Sequence, residues 1–430
     1  MSRMFNVSGD CRPEVHYMVD ISDKVKAIKE MVDKGQYFTI NRARQYGKTT
    51  TLRALTKVLK RDYTVINLNF QMMSSADFKS EDSFVGAMAR ELLKRIQIKD
   101  EMPEEIKDRL QPLYKNIGQD RKLAELFLSF SEWCNKAKKP LVLIIDEVDS
   151  ATNNQVFLDF LAQLRAYYLE RDEIPTFHSV ILAGVYDIKN LKLKFVPENE
   201  HRQNSPWNIA ADFLVDMSFS SDEITGMLND YEKDHNTGMD TELMADLIYE
   251  YTGGYPFLVS RICKLLDERI YTDDERKAWT KEGFLEAMRI LLNESNPLFE
   301  SLLGKLNDYP ELDRLIYRLL FQGVSITYNP DNQVVQIAKM FGFVKVDQGT
   351  VVMANRIFET RLYNKYLSDA EIQNNDIYEN AVKEKDRFIR DGHLNMKLVL
   401  ERFIIHFDDI YGDQDQKFLE EDGRRHFLLF

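Results

Sequence analysis

The sequence predicts an α/β fold built on a five-stranded parallel sheet, and three observations carry that prediction. Short apolar strands alternate with longer helical stretches through the first half of the chain. The tripeptide Gly47-Lys48-Thr49 stands where the first of these strands gives way to a helix. A later strand, Leu141-Val142-Leu143-Ile144-Ile145, runs directly into two acids, Asp146 and Glu147. The length of 430 residues allows two or three domains, each large enough to bury a core.

Each element has a local reason. A helix over Asp23 to Lys34 ends at the breaker Gly35, and Tyr37-Phe38-Thr39-Ile40-Asn41 follows as the first buried strand. Thr64 to Phe70 is the second strand, Leu141 to Ile145 the third, Ser179 to Ala183 the fourth, and Phe213 to Met217, weaker in pattern, the fifth. All are short, rich in β-branched or aromatic residues, and bounded by polar or Gly/Pro punctuation. Asp82 to Lys139 is helical in pattern and longer than one crossover needs, which predicts an inserted group of two or three helices on one sheet face. From Ser221 the pattern is helical again, interrupted at Thr252-Gly253-Gly254-Tyr255-Pro256. Helices over Leu312 to Phe321 and Gln333 to Phe341 precede a hairpin, Phe343 to Val346 and Thr350 to Met353, turned at Asp347-Gln348-Gly349. Helices followed by a two-stranded wing predict a winged-helix module. Asp369 to Phe430 reads as an amphipathic helix pair.

Composition removes several classes of function. Lys and Arg number 57 against 70 Asp and Glu, and the net charge of −13 counts against broad affinity for nucleic acid. Hydrophobic residues at 44% and charged residues at 30% exclude disorder as the overall state. Cys11, Cys134 and Cys263 lie far apart, without the spacing of a disulfide framework or a zinc site, and fit a reducing cytoplasm. No apolar run approaches the ~20 residues of a membrane span, and the first residues lack the apolar core of a signal peptide. A cytoplasmic, multidomain protein with no membrane partner is expected.

The chemistry concentrates at Asn41-Arg42-Ala43-Arg44-Gln45-Tyr46-Gly47-Lys48-Thr49-Thr50. A strand-to-helix turn of this kind aims backbone N–H groups and a helix N-terminus at phosphate. Gly47 lets the backbone approach the anion, Lys48 reaches the β- and γ-phosphates, and the Thr49 hydroxyl suits Mg²⁺. Arg42 stands where the GxxxxGK[ST] pattern has its first glycine. The plain alternative is an ordinary helix N-terminus with a solvated lysine. The apolar strand ending at Asp146 and Glu147 suits the centre of a parallel sheet, whose C-terminal edge is where such folds place ligands. Asp146 then fits the role of a Walker-B aspartate holding Mg²⁺, and Glu147 that of the group polarising the attacking water. The alternative for the two acids is an exposed loop or a helix cap. Asp149 and Ser150 read as a helix cap with no chemistry.

At these residues the chain resembles the bacterial AAA-ATPase-like proteins of the P-loop AAA+/STAND group. The likeness is carried by RARQYGKTT (42 to 50), LVLIIDEVD (141 to 149), SVILAGVYDIKNL (179 to 191), SPWNIAADF (205 to 213) and YTGGYPFLVSRICKLLDE (251 to 268). The last looks like the GGxPxL element of that group's helical lid. The resemblance spans residues 10 to 365, and arginine-rich phosphate loops are typical of the subfamily. It implies a P-loop ATPase domain at 1–220, a helical lid at 221–300, a winged-helix-like module at 301–368 and a helical tail at 369–430. It implies ATP as ligand, with Arg44, Gln45, Tyr46, Gly47, Lys48, Thr49 and Thr50 around it, Mg²⁺ at Thr49 and Asp146, and Glu147, Lys48 and Arg202 in catalysis. AAA+ relatives end the fourth strand in a polar sensor, but Gly184-Val185-Tyr186-Asp187 offers no Asn or Thr. Pro13 to Asp20 is placed by the resemblance near the adenine, with Tyr17 or Val19 either on the base or in the core.

A transferring γ-phosphoryl group calls for an arginine, in cis or from a neighbour. Arg202 ranks first by its position between the fourth and fifth strands, then Arg261, then Arg165; each has a surface alternative. An arginine acting in trans requires a homo-oligomer. In the winged-helix segment Lys339, Lys345, Arg356, Arg361 and Lys365 are offset by Asp313, Asp331, Asp347 and Glu359. That balance favours contact with an unidentified protein partner or with the lid over DNA. Relatives often continue into a nuclease-like domain. The E-x-K triplets here, at Glu105 and Glu275, stand in helical surroundings, so no nuclease activity is expected. The apolar end His426 to Phe430 is expected to be covered, by a continuation of the chain, by its own fold or by a partner. The leading expectation is a Mg²⁺-dependent ATPase used as a conformational switch. The alternatives are a nucleotide-binding scaffold without turnover and a DNA-binding regulator.

Overall fold

The computed structural model describes residues 3–95, 101–115, 120–152, 154–186, 206–270, 275–321 and 325–368, with two short backbone segments at 389–390 and 393–394. The chain divides into two compact units, Met1–Tyr249 with Gly254–Ala287, and Glu250–Gly253 with Met288–Phe430.

The first unit is built on a parallel sheet. Its strands are β3 (Tyr37–Asn41), β4 (Thr64–Asn69), β5 (Leu141–Asp146) and β6 (Ser179–Gly184), in the order β3-β6-β5-β4. Two minor strands, β1 (Met4–Phe5) and β2 (His16–Tyr17), pair ahead of it. Every residue of β5 is buried. Its side chains divide by the period-two rule: Val142 and Ile144 enter one core, Leu141, Leu143 and Ile145 the other. Helices α1 (Ser22–Asp33) and α2 (Lys48–Leu59) cover the first face through Val25, Ile28, Leu52 and Leu55. The opposite face carries α3 (Glu81–Lys94), α4 (Glu104–Lys115), α5 (Leu123–Lys136) and α6 (Gln155–Leu169). Phe84, Phe127, Phe130 and Trp133 pack there with Phe157 and Phe160. The inserted group therefore comprises three described helices, as the pattern between Asp82 and Lys139 predicts.

The expected fifth strand is corrected. Among the described residues the sheet has four strands, and Phe213–Met217 is not one of them. A single bridge joins Phe38 to Ala211, whose N–H donates to the Tyr37 carbonyl at 2.7 Å. Beyond it the chain keeps the alternation of a strand, with Phe213 and Val215 half-buried and Leu214 and Asp216 exposed. Side chains take over from the ladder at this point. Phe213 stacks on Phe38, and the Arg42 guanidinium donates to the Val215 carbonyl at 2.8 Å. The apolar alternation was real, but a side-chain donor occupies a carbonyl that a fifth strand would pair.

Among the described residues four longer helices follow, α7 (Ser221–His235), α8 (Thr241–Thr252), α9 (Pro256–Glu268) and α10 (Lys281–Asn293), with a single helical turn at Glu275–Ala278 before the last. Ser220 and Glu223 form a capping box that starts α7, and Pro256 occupies the first turn of α9, where a missing N–H costs nothing.

In the second unit α11 (Pro297–Asp308) and α12 (Pro310–Phe321) precede β7 (Ile326–Thr327), α13 (Gln333–Met340), β8 (Val344–Asp347), β9 (Thr350–Met353) and α14 (Arg356–Ser368). The three strands form an antiparallel sheet in the order β7-β9-β8. The β8–β9 turn places Gln348 at φ +45° and Gly349 at φ +79°, the positive pair that a two-residue hairpin demands. The hairpin lies where the sequence predicts it, whereas β7, two residues long, is too short to show in the pattern. The expected helical tail lies mostly outside the described residues. What is described there, Ile389–Arg390 paired antiparallel with His393–Leu394, is strand rather than helix. Among the described residues no helix is long and apolar enough to cross a membrane.

Candidate nucleotide site

The turn from β3 to α2 is closed by six residues, Arg42 to Gly47. Gly47 sits at φ +77° as the residue capping α2 and supplies no side-chain acceptor, so the first N–H groups of the helix are left for another acceptor. Gln45 also takes a positive φ, +56°, a conformation costing a non-glycine residue about 1 kcal/mol. Its side-chain Oε1 is buried with no hydrogen-bond partner. Such an atom is uncommon in a finished interior and marks a place where a ligand or water completes the bonding.

Lys48 is only 7% exposed, and its ammonium donates to the carbonyls of Arg42 at 2.9 Å and Ala43 at 3.0 Å. An ammonium has three donors, so one remains for a ligand. Burial holds this lysine below its ordinary pKa, and the charges of Asp149, Glu147 and Asp146 oppose that shift. The next residue, Thr49, donates its hydroxyl to Asp146 Oδ2 at 2.9 Å. The other carboxylate oxygen of Asp146 accepts from the Glu147 N–H at 2.9 Å. The start of α2 and the acidic end of β5 thus meet. Glu147 adopts φ +55°, a strained conformation for a side chain of its size. Burial, and then the charge of Asp146, raise its carboxyl above the usual glutamate value, and Lys48 partly counters them.

Three contacts around these residues are not evident from the sequence. Asp149, read from the sequence as a cap without chemistry, instead reaches across to the end of β6. Its carboxylate accepts from the Val185 N–H at 2.9 and 2.8 Å and from the Tyr186 N–H at 3.0 Å. Gly184 permits the approach, because a Cβ there would lie 2.7 Å from Asp149 Oδ1. The end of β6 is therefore held by an acid from the turn that follows β5. An Asp three residues after Asp146 facing a glycine at the end of the next strand was the available signal.

The second contact concerns Arg42. Its guanidinium leaves the loop, donating to the Asn41 carbonyl at 2.9 Å and the Val215 carbonyl at 2.8 Å, with its carbon 5.1 Å from the Phe213 ring centre. Arg42 is a brace between the loop and the sheet edge.

The third comes from the Gly-Gly-Tyr-Pro segment. The Tyr255 hydroxyl donates to the Arg44 carbonyl, and its ring meets Tyr46 edge-on with centroids 4.6 Å apart. Burial pushes the Tyr46 phenol up to about 12, so it stays neutral. Gly254, at φ +71°, has no room for a side chain: a Cβ would fall 2.0 Å from the Phe219 carbonyl oxygen. The start of α9 is thereby fixed against the phosphate loop within the first unit.

The remaining expected positions divide. Thr50 accepts from the Cys11 N–H at 3.1 Å, which joins the N-terminal segment to α2. Tyr17 is core: it is 2% exposed, its hydroxyl donates to Asp234 at 2.8 Å, and its ring packs edge-on against Tyr231. Val19 is buried as well. Arg261 lies on α9, and Arg165 on α6 with its Nε buried and unpartnered. Arg202 lies outside the described residues.

The donor set fits Mg²⁺. A hydroxyl and a carboxylate, both hard oxygen ligands, converge at Thr49 and Asp146, and Mg²⁺ in nucleotide sites takes one or two such groups beside phosphate oxygens. Among the described residues no group of three His, Cys, Asp or Glu side chains offers an all-protein cage.

No curated protein sequence matches the chain. Among solved structures, a Walker-type ATPase of Pyrococcus abyssi is similar at a TM-score of 0.58 and 17% identity, covering 84% of this chain and 99% of that one. Cdc6p from Pyrobaculum aerophilum gives a TM-score of 0.41 at 14% identity, covering 84% and 97% of the two chains. The Aeropyrum pernix ORC1 protein, solved in complex with DNA, gives 0.36 at 12%, covering 81% and 93%. Of these three, the first alone is similar enough to speak for the fold, and it speaks for the α/β architecture. The sequence profile described as an AAA-like domain matches residues 14–369. The chain belongs to the AAA-like domain family.

Proposed function

We propose that the chain is a Mg²⁺-dependent ATPase that serves as a conformational switch. The observation that carries this reading is the hydrogen bond of Thr49 to Asp146 at 2.9 Å, which brings the phosphate loop and the acidic strand end into one site. The α2 N-terminus and the free donor of Lys48 bind the β- and γ-phosphates. Thr49 and Asp146 would hold Mg²⁺, which neutralises phosphate charge when bound. Glu147 accepts the proton of the attacking water, and its raised affinity for protons strengthens it as a base. Adenine as the base, and a cytoplasmic setting, follow from the family likeness and the cysteine usage.

In this reading residues 1–220 form the nucleotide domain and 221–300 a lid whose first contact with the nucleotide state is Tyr255 on the Arg44 carbonyl. Residues 301–368 form a winged-helix module, supported by the helices around the β7-β9-β8 sheet. Helix α13 carries a single basic residue, Lys339, which favours a protein-contact role over DNA. Lys48→Ala should abolish nucleotide binding, and unchanged ATP affinity in that variant would refute the assignment. The scaffold alternative draws on the missing polar sensor beyond Gly184. Phosphate release decides between the two, since a scaffold binds ATP and releases none.

A further inference from the structure

We propose that Arg44 is the cation that meets the charge developing on the γ-phosphoryl group, so that the phosphate loop carries its own catalytic arginine. The inference rests on the ATPase reading above and goes beyond it by naming the group and placing it in cis.

The loop holds two arginines with opposite fates. Arg42 is committed, with its guanidinium on the Asn41 and Val215 carbonyls and over the Phe213 ring. Arg44 is exposed, and among the described residues its guanidinium has no hydrogen-bond or ion-pair partner.

The backbone on both sides of Arg44 is fixed. The Lys48 ammonium lies 3.0 Å from the Ala43 carbonyl, which belongs to the peptide group ending at the Arg44 nitrogen. The Arg44 carbonyl is held by the Tyr255 hydroxyl, and Gln45 continues at φ +56°. A long cationic side chain therefore springs from an anchored Cα beside the lysine that binds the β- and γ-phosphates. Arg44 stands four residues before Lys48 in the turn that ends at the α2 N-terminus, so a guanidinium rising from that Cα can reach the oxygens of the transferring group. Its planar fork matches phosphoryl oxygens, which a lysine does not reproduce.

The step balances without a further reactant. Water oxygen bonds to the γ-phosphorus, the bond from phosphorus to the β–γ bridging oxygen breaks, and the water proton passes to Glu147. Arg44 keeps its protons and supplies charge and hydrogen bonds only.

The test compares wild type, Arg44→Ala and Arg44→Lys as full chains, reading ADP affinity by fluorescent-nucleotide titration and single-turnover hydrolysis of Mg-ATP. Arg44→Ala should keep ADP affinity within about threefold, which also shows that the chain folds. Its hydrolysis rate should fall about 10²- to 10³-fold, and Arg44→Lys should recover only a small part. Adding excess Lys48→Ala chains, which carry Arg44, should restore nothing. Hydrolysis by Arg44→Ala within threefold of wild type, or rescue by the added chains, overturns the inference and leaves the ATPase reading standing. Absence of hydrolysis in wild type itself overturns both.

Discussion

Replacing Asp149 tests whether its contact with Val185 and Tyr186 holds the turn that follows β5. Asp149→Ala removes the acceptor for two backbone N–H groups, those of Val185 and Tyr186, at 2.8 to 3.0 Å. Hydrogen bonds to a charged group contribute about 1.5–3 kcal/mol each when buried, and these are only partly buried. A total of about 2–4 kcal/mol is therefore expected. Asp149→Asn retains one oxygen and should cost roughly half that. In a domain of this size 1 kcal/mol moves the melting temperature by about 2–4 °C, so the alanine variant should melt roughly 4–16 °C below wild type. Glu147 stands two residues away at φ +55°, so releasing the turn should also lower kcat about tenfold or more while KM changes little. Thermal melting and steady-state phosphate release on one preparation supply both readouts. A variant melting within about 1 °C of wild type with unchanged kcat would show that the contact neither stabilises nor positions anything.

Three further substitutions probe the site and its supports. Because burial and Asp146 raise the Glu147 carboxyl, the acid limb of the pH profile for turnover should lie above the ~4.3 of an ordinary glutamate, and Glu147→Gln should abolish turnover. The folded state binds that proton more tightly than the unfolded state, so stability falls as pH rises through this window, and Glu147→Gln should melt higher than wild type at neutral pH. Tyr255→Phe keeps the ring against Tyr46 but loses the donor to Arg44; a stability loss of about 1 kcal/mol and a raised KM for ATP are expected by melting and kinetics. Gly254→Ala places a Cβ 2.0 Å from the Phe219 oxygen at φ +71°, and denaturant titration should show a loss above about 2 kcal/mol.

What could be read from the sequence was local. The turn from Asn41 to Lys48 and the strand Leu141 to Asp146 each announce themselves within ten residues, through a glycine-lysine-threonine step and an unbroken apolar run. Their meeting at Thr49 and Asp146 follows because parallel sheets bring strand C-termini to one edge. The unforeseen features join residues far apart in the chain. Arg42 finds Val215, Asp149 finds Val185, and Tyr255 finds Arg44, and none of these pairs leaves a periodic trace. The fifth strand failed for the same reason: alternation at Phe213 to Met217 reports which side chains face the core, whereas the ladder depends on what its carbonyls meet, and one meets Arg42. Arg44 and Arg42 look alike in sequence, and only the structure separates a brace from an unpaired cation.

The decisive measurement is phosphate release from Mg-ATP by the full wild-type chain beside Glu147→Gln, with ATP binding recorded for both. Hydrolysis by wild type, with the variant binding ATP but releasing no phosphate, is the predicted result. Binding by both with no release from either would contradict it and leave a nucleotide-binding scaffold in place of an ATPase.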